Sequence, residues 1–195
     1  MYYRNLKMKI KNSVKDYSDK EIIRLIKQEH NTNLFTVLYN RYSEKVFDKC
    51  YSLLKDKTLA QEFVQDIFCK VFERLADFRG ESNFSTWLYA ITYNNCIEYL
   101  RTKKKMNYPD WNSSHELPDV IDELNEKEIN SERLMKILEL IHPEEKALLT
   151  MHYIDNVPIA YIQTALKISE SATKMRLKRA RDRVAFLYKE HYNQD

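Results

Sequence analysis

Glycine is almost missing: Gly80 is the only one in 195 residues. Antiparallel β folds need left-handed φ at one tight hairpin after another, so this chain is not built of them. Neither the Rossmann nor the Walker phosphate loop can be written with a single glycine, which excludes the common nucleotide folds. Proline is nearly as sparse, at Pro109, Pro118, Pro143 and Pro158. No apolar run approaches the roughly 18 residues of a membrane span. Met1 to Ser18 is basic and polar, without an apolar signal core. Cys50, Cys69 and Cys96 are odd in number, far apart and set among helix-like apolar positions. They read as small buried hydrophobes in a reducing compartment, not as disulfides or zinc ligands, and the protein is expected in the cytoplasm. His30, His115, His142, His152 and His191 are scattered, with no carboxylate pair or ligand cluster at a recognisable spacing. No catalytic site, metal or cofactor is expected.

Net charge is also small, at +3, but it is unevenly spread. Residues 1–30 carry +4, residues 31–105 carry +3, residues 106–130 carry −6 and residues 131–195 carry +2. The acidic stretch holds Pro109, Asn112, Ser113, Ser114 and Pro118 and few large apolar side chains, which is linker composition. Its acidity serves solubility or mimics nucleic acid; composition does not separate the two. The chain therefore divides into an N-terminal extension (1–18), a first domain (19–105), a linker (106–130) and a second domain (131–195).

Outside the linker the apolar residues recur at helical steps. From Leu59 onward Phe63, Val64, Ile67, Phe68, Val71, Phe72 and Leu75 follow one another at such intervals, and Phe84, Leu88 and Ile91 continue the habit. With Gly80, Pro143 and Pro158 as punctuation, the pattern predicts helices near 19–29, 32–55, 58–77, 84–104, 131–141, 143–155, 158–166 and 170–189. The expected fold is all-α, in two small helical domains.

The last two helices carry the clearest chemistry. Pro158 to Leu166 is short, Lys167-Ile168-Ser169 makes a tight turn, and Ser169 suits the N-cap of a long basic helix. There Thr173, Leu177, Ala180, Val184 and Leu187 form a packing stripe, leaving Lys174, Met175, Lys178, Arg179 and Arg181 on the other side. A short helix, a turn and a helix with a basic exposed face is the layout of a helix-turn-helix, whose second helix enters the major groove. A helical hairpin used for protein contact would share the outline.

The segment Phe78-Arg79-Gly80-Glu81-Ser82-Asn83-Phe84-Ser85-Thr86-Trp87-Leu88 closely resembles the promoter-melting segment of extracytoplasmic-function sigma factors, compact members of the bacterial sigma-70 family. Leu38-Tyr39-Asn40-Arg41-Tyr42 and Glu62-Phe63-Val64-Gln65-Asp66-Ile67-Phe68 resemble the family's polymerase-docking region. Ile162, Leu166, Ile168-Ser169-Glu170 and Lys174 to Arg181 resemble its helix-turn-helix. The resemblance implies a sigma factor that binds core RNA polymerase, directs it to promoters and promotes melting.

By that resemblance Glu62, Gln65 and Asp66 dock on the clamp of the polymerase largest subunit, although an ordinary solvated helix face would show the same residues. Phe78, Arg79, Asn83, Trp87, Arg101 and Lys103 would meet the minus-10 element, with Asn83 facing a flipped base. Phe84 and Leu88 suit the core better, and Trp87 fits either role. Ser171, Lys174, Met175, Lys178, Arg179 and Arg181 would meet the minus-35 element. Relatives are commonly held inactive by an anti-sigma factor, so such a partner is possible here. Three departures stand out. Where larger relatives wedge the duplex with adjacent tryptophans, the matching positions are Ala90 and Ile91; the turn position that is usually glycine is Lys167, and another usual glycine is Ser171. A flexible 25-residue linker has an r.m.s. span of roughly 25–30 Å, short of the roughly 50 Å between two elements one and a half DNA turns apart but within its extended reach. A stand-alone helix-turn-helix regulator is the alternative, but it would need neither the 78–88 segment nor the polar face at Glu62.

Overall fold

The computed structural model describes residues 17–29, 32–103 and 130–192. The described elements are helices joined by turns: α1 (Asp19–Glu29), a 3-10 turn (Thr32–Leu34), α2 (Phe35–Leu54), α3 (Lys57–Glu73), a 3-10 turn (Leu75–Asp77), α4 (Phe84–Lys103), α5 (Ser131–Leu138), α6 (Pro143–Leu149), a π-helical turn (Thr150–Ile154), α7 (Ile159–Leu166) and α8 (Glu170–Tyr192). They form two compact units, residues 1–92 and 93–195, with the division inside α4. Apart from Asn130, the expected linker lies outside the described residues, as does the N-terminal extension up to residue 16.

In the first unit α2 and α3 are the most extensively packed pair. Lys55 ends α2 in the left-handed region (φ 57°), and the Asp56 carboxylate caps α3 by accepting from Leu59 N–H at 3.0 Å. Val64, Ile67, Phe68 and Val71 then face inward at three- and four-residue steps and are all buried. Phe63 is only half-buried, and Phe72 stands 42% exposed, edge-on to Phe35 at 5.0 Å. Cys50 and Cys96 are buried thiols, but Cys69 is exposed, which corrects the expectation for that residue. It follows Phe68 by one position, about 100° around the helix and off the buried stripe.

In the second unit α5 is capped by Asn130, whose side chain accepts from Glu132 and Arg133 N–H. The helix expected over 143–155 is α-helical only to Leu149 and then widens into the π turn, where Asp155 N–H reaches Thr150 O at 2.9 Å. Pro143 opens α6, and His142 before it completes a reciprocal cap with Glu145. The turn after α7 bends as the sequence required. Lys167 is left-handed (φ 54°), and Ser169 Oγ accepts from Ala172 N–H at 3.2 Å to start α8. The packing stripe of α8 begins as expected with Thr173, Leu177 and Ala180, but ends on Ala185 and Tyr188, with Val184 and Leu187 half-buried. A drift of about 20° per heptad is too small to exchange neighbours about 100° apart, so the shift reflects which helices α8 packs against and not its period.

Candidate nucleic-acid interface

Glu62, Gln65 and Asp66 are all exposed, on the side of α3 opposite its buried stripe. Their spacing puts them one turn apart on a shared face. The exposed Cys69 continues that face by a further turn, and Gln65 also borders a groove of about 490 Å³ against Tyr39 and Phe47 of α2.

The 78–83 loop joins the 3-10 turn to α4. Gly80 takes φ 75° with nothing within 4 Å of where a Cβ would stand, so its backbone conformation, not crowding, calls for glycine. Phe78 is half-buried, tilted against Trp87 (5.2 Å) and edge-on to Phe84 (6.0 Å). Phe84 and Leu88 are core residues, 3% and 0% exposed. Trp87 is half-buried, tilted against Phe78 and Phe84. Asn83 and Arg79 are exposed, and Asn83 O accepts the first helical bond of α4 from Trp87 N–H. Ala90 and Ile91 are each 8% exposed and present no wedge. Phe78 and Trp87 thus pack together where α4 begins, and the exposed Asn83 lies one helical turn before Trp87 at that corner.

Arg101 and Lys103, later in α4, belong to the second unit. The Arg101 guanidinium forks the Glu144 carboxylate (Nε–Oε1 2.7 Å, Nη2–Oε2 2.9 Å), a contact inside the second unit. The hydrogen bonds to Glu144 hold the Arg101 guanidinium above its ordinary range. Lys103 lies over the Tyr99 ring, 5.0 Å from its centroid.

On α8, Ser171, Lys174, Met175, Lys178, Arg179 and Arg181 are all exposed, Met175 by 52%. Lys174 Nζ reaches Glu170 Oε1 one turn back at 2.6 Å, and that contact lowers the Glu170 carboxyl below its usual value. Two further cations of the same helix turn inward, which their charge alone did not reveal. Arg183 pairs with the buried Glu145 at 3.2 Å. Arg176 is half-buried in the field of Glu144, and its desolvation pulls the guanidinium below its usual value. Burial pushes the Glu145 carboxyl up, against the pull of Arg183. Glu144, Glu145, Arg176 and Arg183 are among the charged residues that the sequence reading did not single out as structural, and no spacing in the sequence marks them.

Among the described residues no group of three or more His, Cys, Asp and Glu side chains could hold a metal ion. Nor is any described helix long and apolar enough to cross a membrane.

Comparison with known proteins agrees with this layout. Residues 38–106 match the model of sigma-70 region 2, and residues 131–184 that of sigma-70 region 4. The chain is 23% identical over 147 residues to the ECF RNA polymerase sigma factor SigX of Bacillus subtilis (strain 168), covering 72% of this chain and 76% of that protein. It is 26% identical over 163 residues to SigW of the same organism, covering 76% of this chain and 85% of SigW. In fold it is similar to the sigma factor RpoE solved with the anti-sigma factor NepR from Bartonella quintana (TM-score 0.55, 16% identity, 80% of this chain and 96% of that one). It is likewise similar to CnrH solved with the cytosolic domain of CnrY (TM-score 0.56, 18% identity, 87% of this chain and 96% of that one). Two regions in family order, over most of the chain, and relatives that are themselves ECF factors carry one conclusion: the protein belongs to the sigma-70 family, as an extracytoplasmic-function RNA polymerase sigma factor.

Proposed function

We propose a division of labour within this sigma factor, which binds core RNA polymerase and directs it to promoters without chemistry of its own. Glu62, Gln65 and Asp66 dock on the largest-subunit clamp. Phe78, Arg79, Asn83 and Trp87 hold an unpaired base of the minus-10 element, with Arg101 and Lys103 toward the phosphates. Lys174, Met175, Lys178 and Arg179 read the minus-35 element, Ser171 stands at the entry to the groove and Arg181 meets the backbone.

The observation that carries this reading is the 78–87 corner. Aromatic faces accept an unstacked base of any kind, and an exposed amide beside them supplies hydrogen bonds for choosing among bases. A regulator that binds duplex DNA alone needs no such corner. The α8 face suits duplex instead: long cationic side chains near a helix N-terminus reach base edges, and those further along meet phosphate.

The domains would run over 19–105 and 131–195, with polymerase holding them at promoter spacing. The cytoplasm is the compartment where those partners are found. An anti-sigma factor is a further expected partner, supported by the complexes in which both fold neighbours were solved. The test is co-elution with bacterial core polymerase, beside a Glu62→Lys/Asp66→Lys variant. Binding by the wild type alone locates the docking face on α3. Equal binding by both removes that face from the reading.

A further inference from the structure

Helix α1 lies outside the residues that match sigma-70 region 2, yet it touches the 78–83 loop at its root. Lys27, in its last turn, donates from Nζ to Ala76 O at 3.0 Å and to Phe78 O at 2.7 Å. These carbonyls sit where α3 and its 3-10 turn have run out, so no helical N–H serves them, and a cation there also meets the negative end of the helix dipole. Phe78 N–H is itself bonded to Leu75 O, so the peptide groups on both sides of Phe78 are fixed.

The opposite end of α1 reaches the same loop through side chains. Asp19 accepts from Arg41 Nη1 at 2.7 Å and from the Tyr42 hydroxyl. The Tyr42 ring lies edge-on to Phe84 at 5.5 Å, and Phe84 meets both Phe78 and Trp87 at 6.0 Å. One helix therefore braces the backbone at the start of the loop and the aromatic wall behind it.

We propose that Lys27 is a positioning residue for minus-10 recognition: it holds the Phe78 backbone so that the loop is shaped for an unpaired base before DNA arrives. The proposal rests on the reading of the 78–87 corner given above. Ordering a loop on binding costs backbone entropy, and fixing its root beforehand removes part of that cost. The Lys27 ammonium is engaged by two backbone carbonyls, those of Ala76 and Phe78.

The test uses the full chain bound to core polymerase. The probe is a fluorescein-labelled single strand selected from a randomised pool on the wild-type holoenzyme. Lys27→Met, Lys27→Arg and Asn83→Ala are compared for affinity to that strand, for core binding and for thermal midpoint. Lys27→Met should lose about tenfold in strand affinity, the worth of one charge-assisted hydrogen bond. Core binding and midpoint should hold, and Lys27→Arg should recover most of the loss. If Lys27→Met binds like wild type while Asn83→Ala does not, the corner stands and the role of Lys27 falls. If both bind like wild type, the corner falls and the inference with it. If Lys27→Met loses strand, core and midpoint together and arginine restores none of them, Lys27 merely holds the fold.

Discussion

Lys167 offers a direct measure of what a missing glycine costs this fold. It is an exposed residue held at φ 54°, ψ 45°, where α7 gives way to the turn of the helix-turn-helix. Its backbone N–H bonds Gln163 O, and Ile168 N–H bonds the same oxygen at 3.1 Å. Any residue at 167 keeps these bonds, so substitution isolates the backbone strain. A left-handed non-glycine residue costs roughly 1–2 kcal/mol, and glycine's greater freedom in the unfolded chain returns roughly 0.5–1 of that. Lys167→Ala keeps the Cβ and the strain, and it loses a cation near the C-terminus of α7, so it should be neutral or a few tenths of a kcal/mol destabilising. Lys167→Gly loses the same cation but not the same strain. The gap between the two variants should therefore be about 1 kcal/mol in favour of glycine, or roughly 4–8 °C in midpoint for a unit of this size. Differential scanning calorimetry of the full chain reads it directly. Equal midpoints for the two variants, or a lower one for glycine, would refute the argument that the turn is strained.

Lys174→Ala should weaken minus-35 duplex binding by about 1–3 kcal/mol on its own promoters alone if the side chain reads a base. A uniform loss across sequences in a fluorescence-anisotropy titration would make it a phosphate contact. Maleimide should react first at Cys69, the one exposed thiol, and core polymerase should protect it if the α3 face docks; mass spectrometry of the labelled peptide decides. Glu145 has its folded carboxyl raised above the ordinary 4.5 by burial, so the folded state binds its proton more tightly. Its contribution to stability is then complete below pH 4.5 and is lost as pH rises through the raised value. Glu145→Gln should flatten that stretch of a urea-midpoint profile, and an unchanged slope would remove the assignment.

The helices were legible because apolar steps and breakers agree along the chain. Ser169 caps the start of α8 as the sequence suggested, Asp56 and Asn130 open helices within a residue of the starts that the periodicity predicted, and Lys167 is left-handed where a glycine would be usual. What a period cannot supply is a partner distant in sequence. Arg176 and Arg183 looked like their exposed neighbours in a run of cations, and only the fold brings Glu144 near one and Glu145 beside the other. Lys27 was invisible for a deeper reason: its acceptors are backbone carbonyls 49 and 51 residues away, and a carbonyl has no letter in the sequence. Cys69 was misplaced because cysteine is apolar enough to pass as core and the stripe runs one residue beside it. Within the site, Phe78, Asn83 and Trp87 could be grouped because they are neighbours in the chain. The pairing of Arg101 with Glu144 could not.

Ala90 and Ile91 are buried and carry no ring, so these two positions of α4 do not wedge between base pairs. A duplex that is not prised apart must supply its own unpairing energy, a few kcal/mol for a flipped base and more for the steps beyond it. Torsional stress in underwound DNA supplies such energy to any protein that traps strands rather than separating them. Transcription through this factor should therefore depend on superhelical density, with output from one promoter rising steeply from a relaxed to a negatively supercoiled plasmid. A factor that wedges would level that difference. If output rises in that way, the torsion of the template becomes an input to every gene this protein reads.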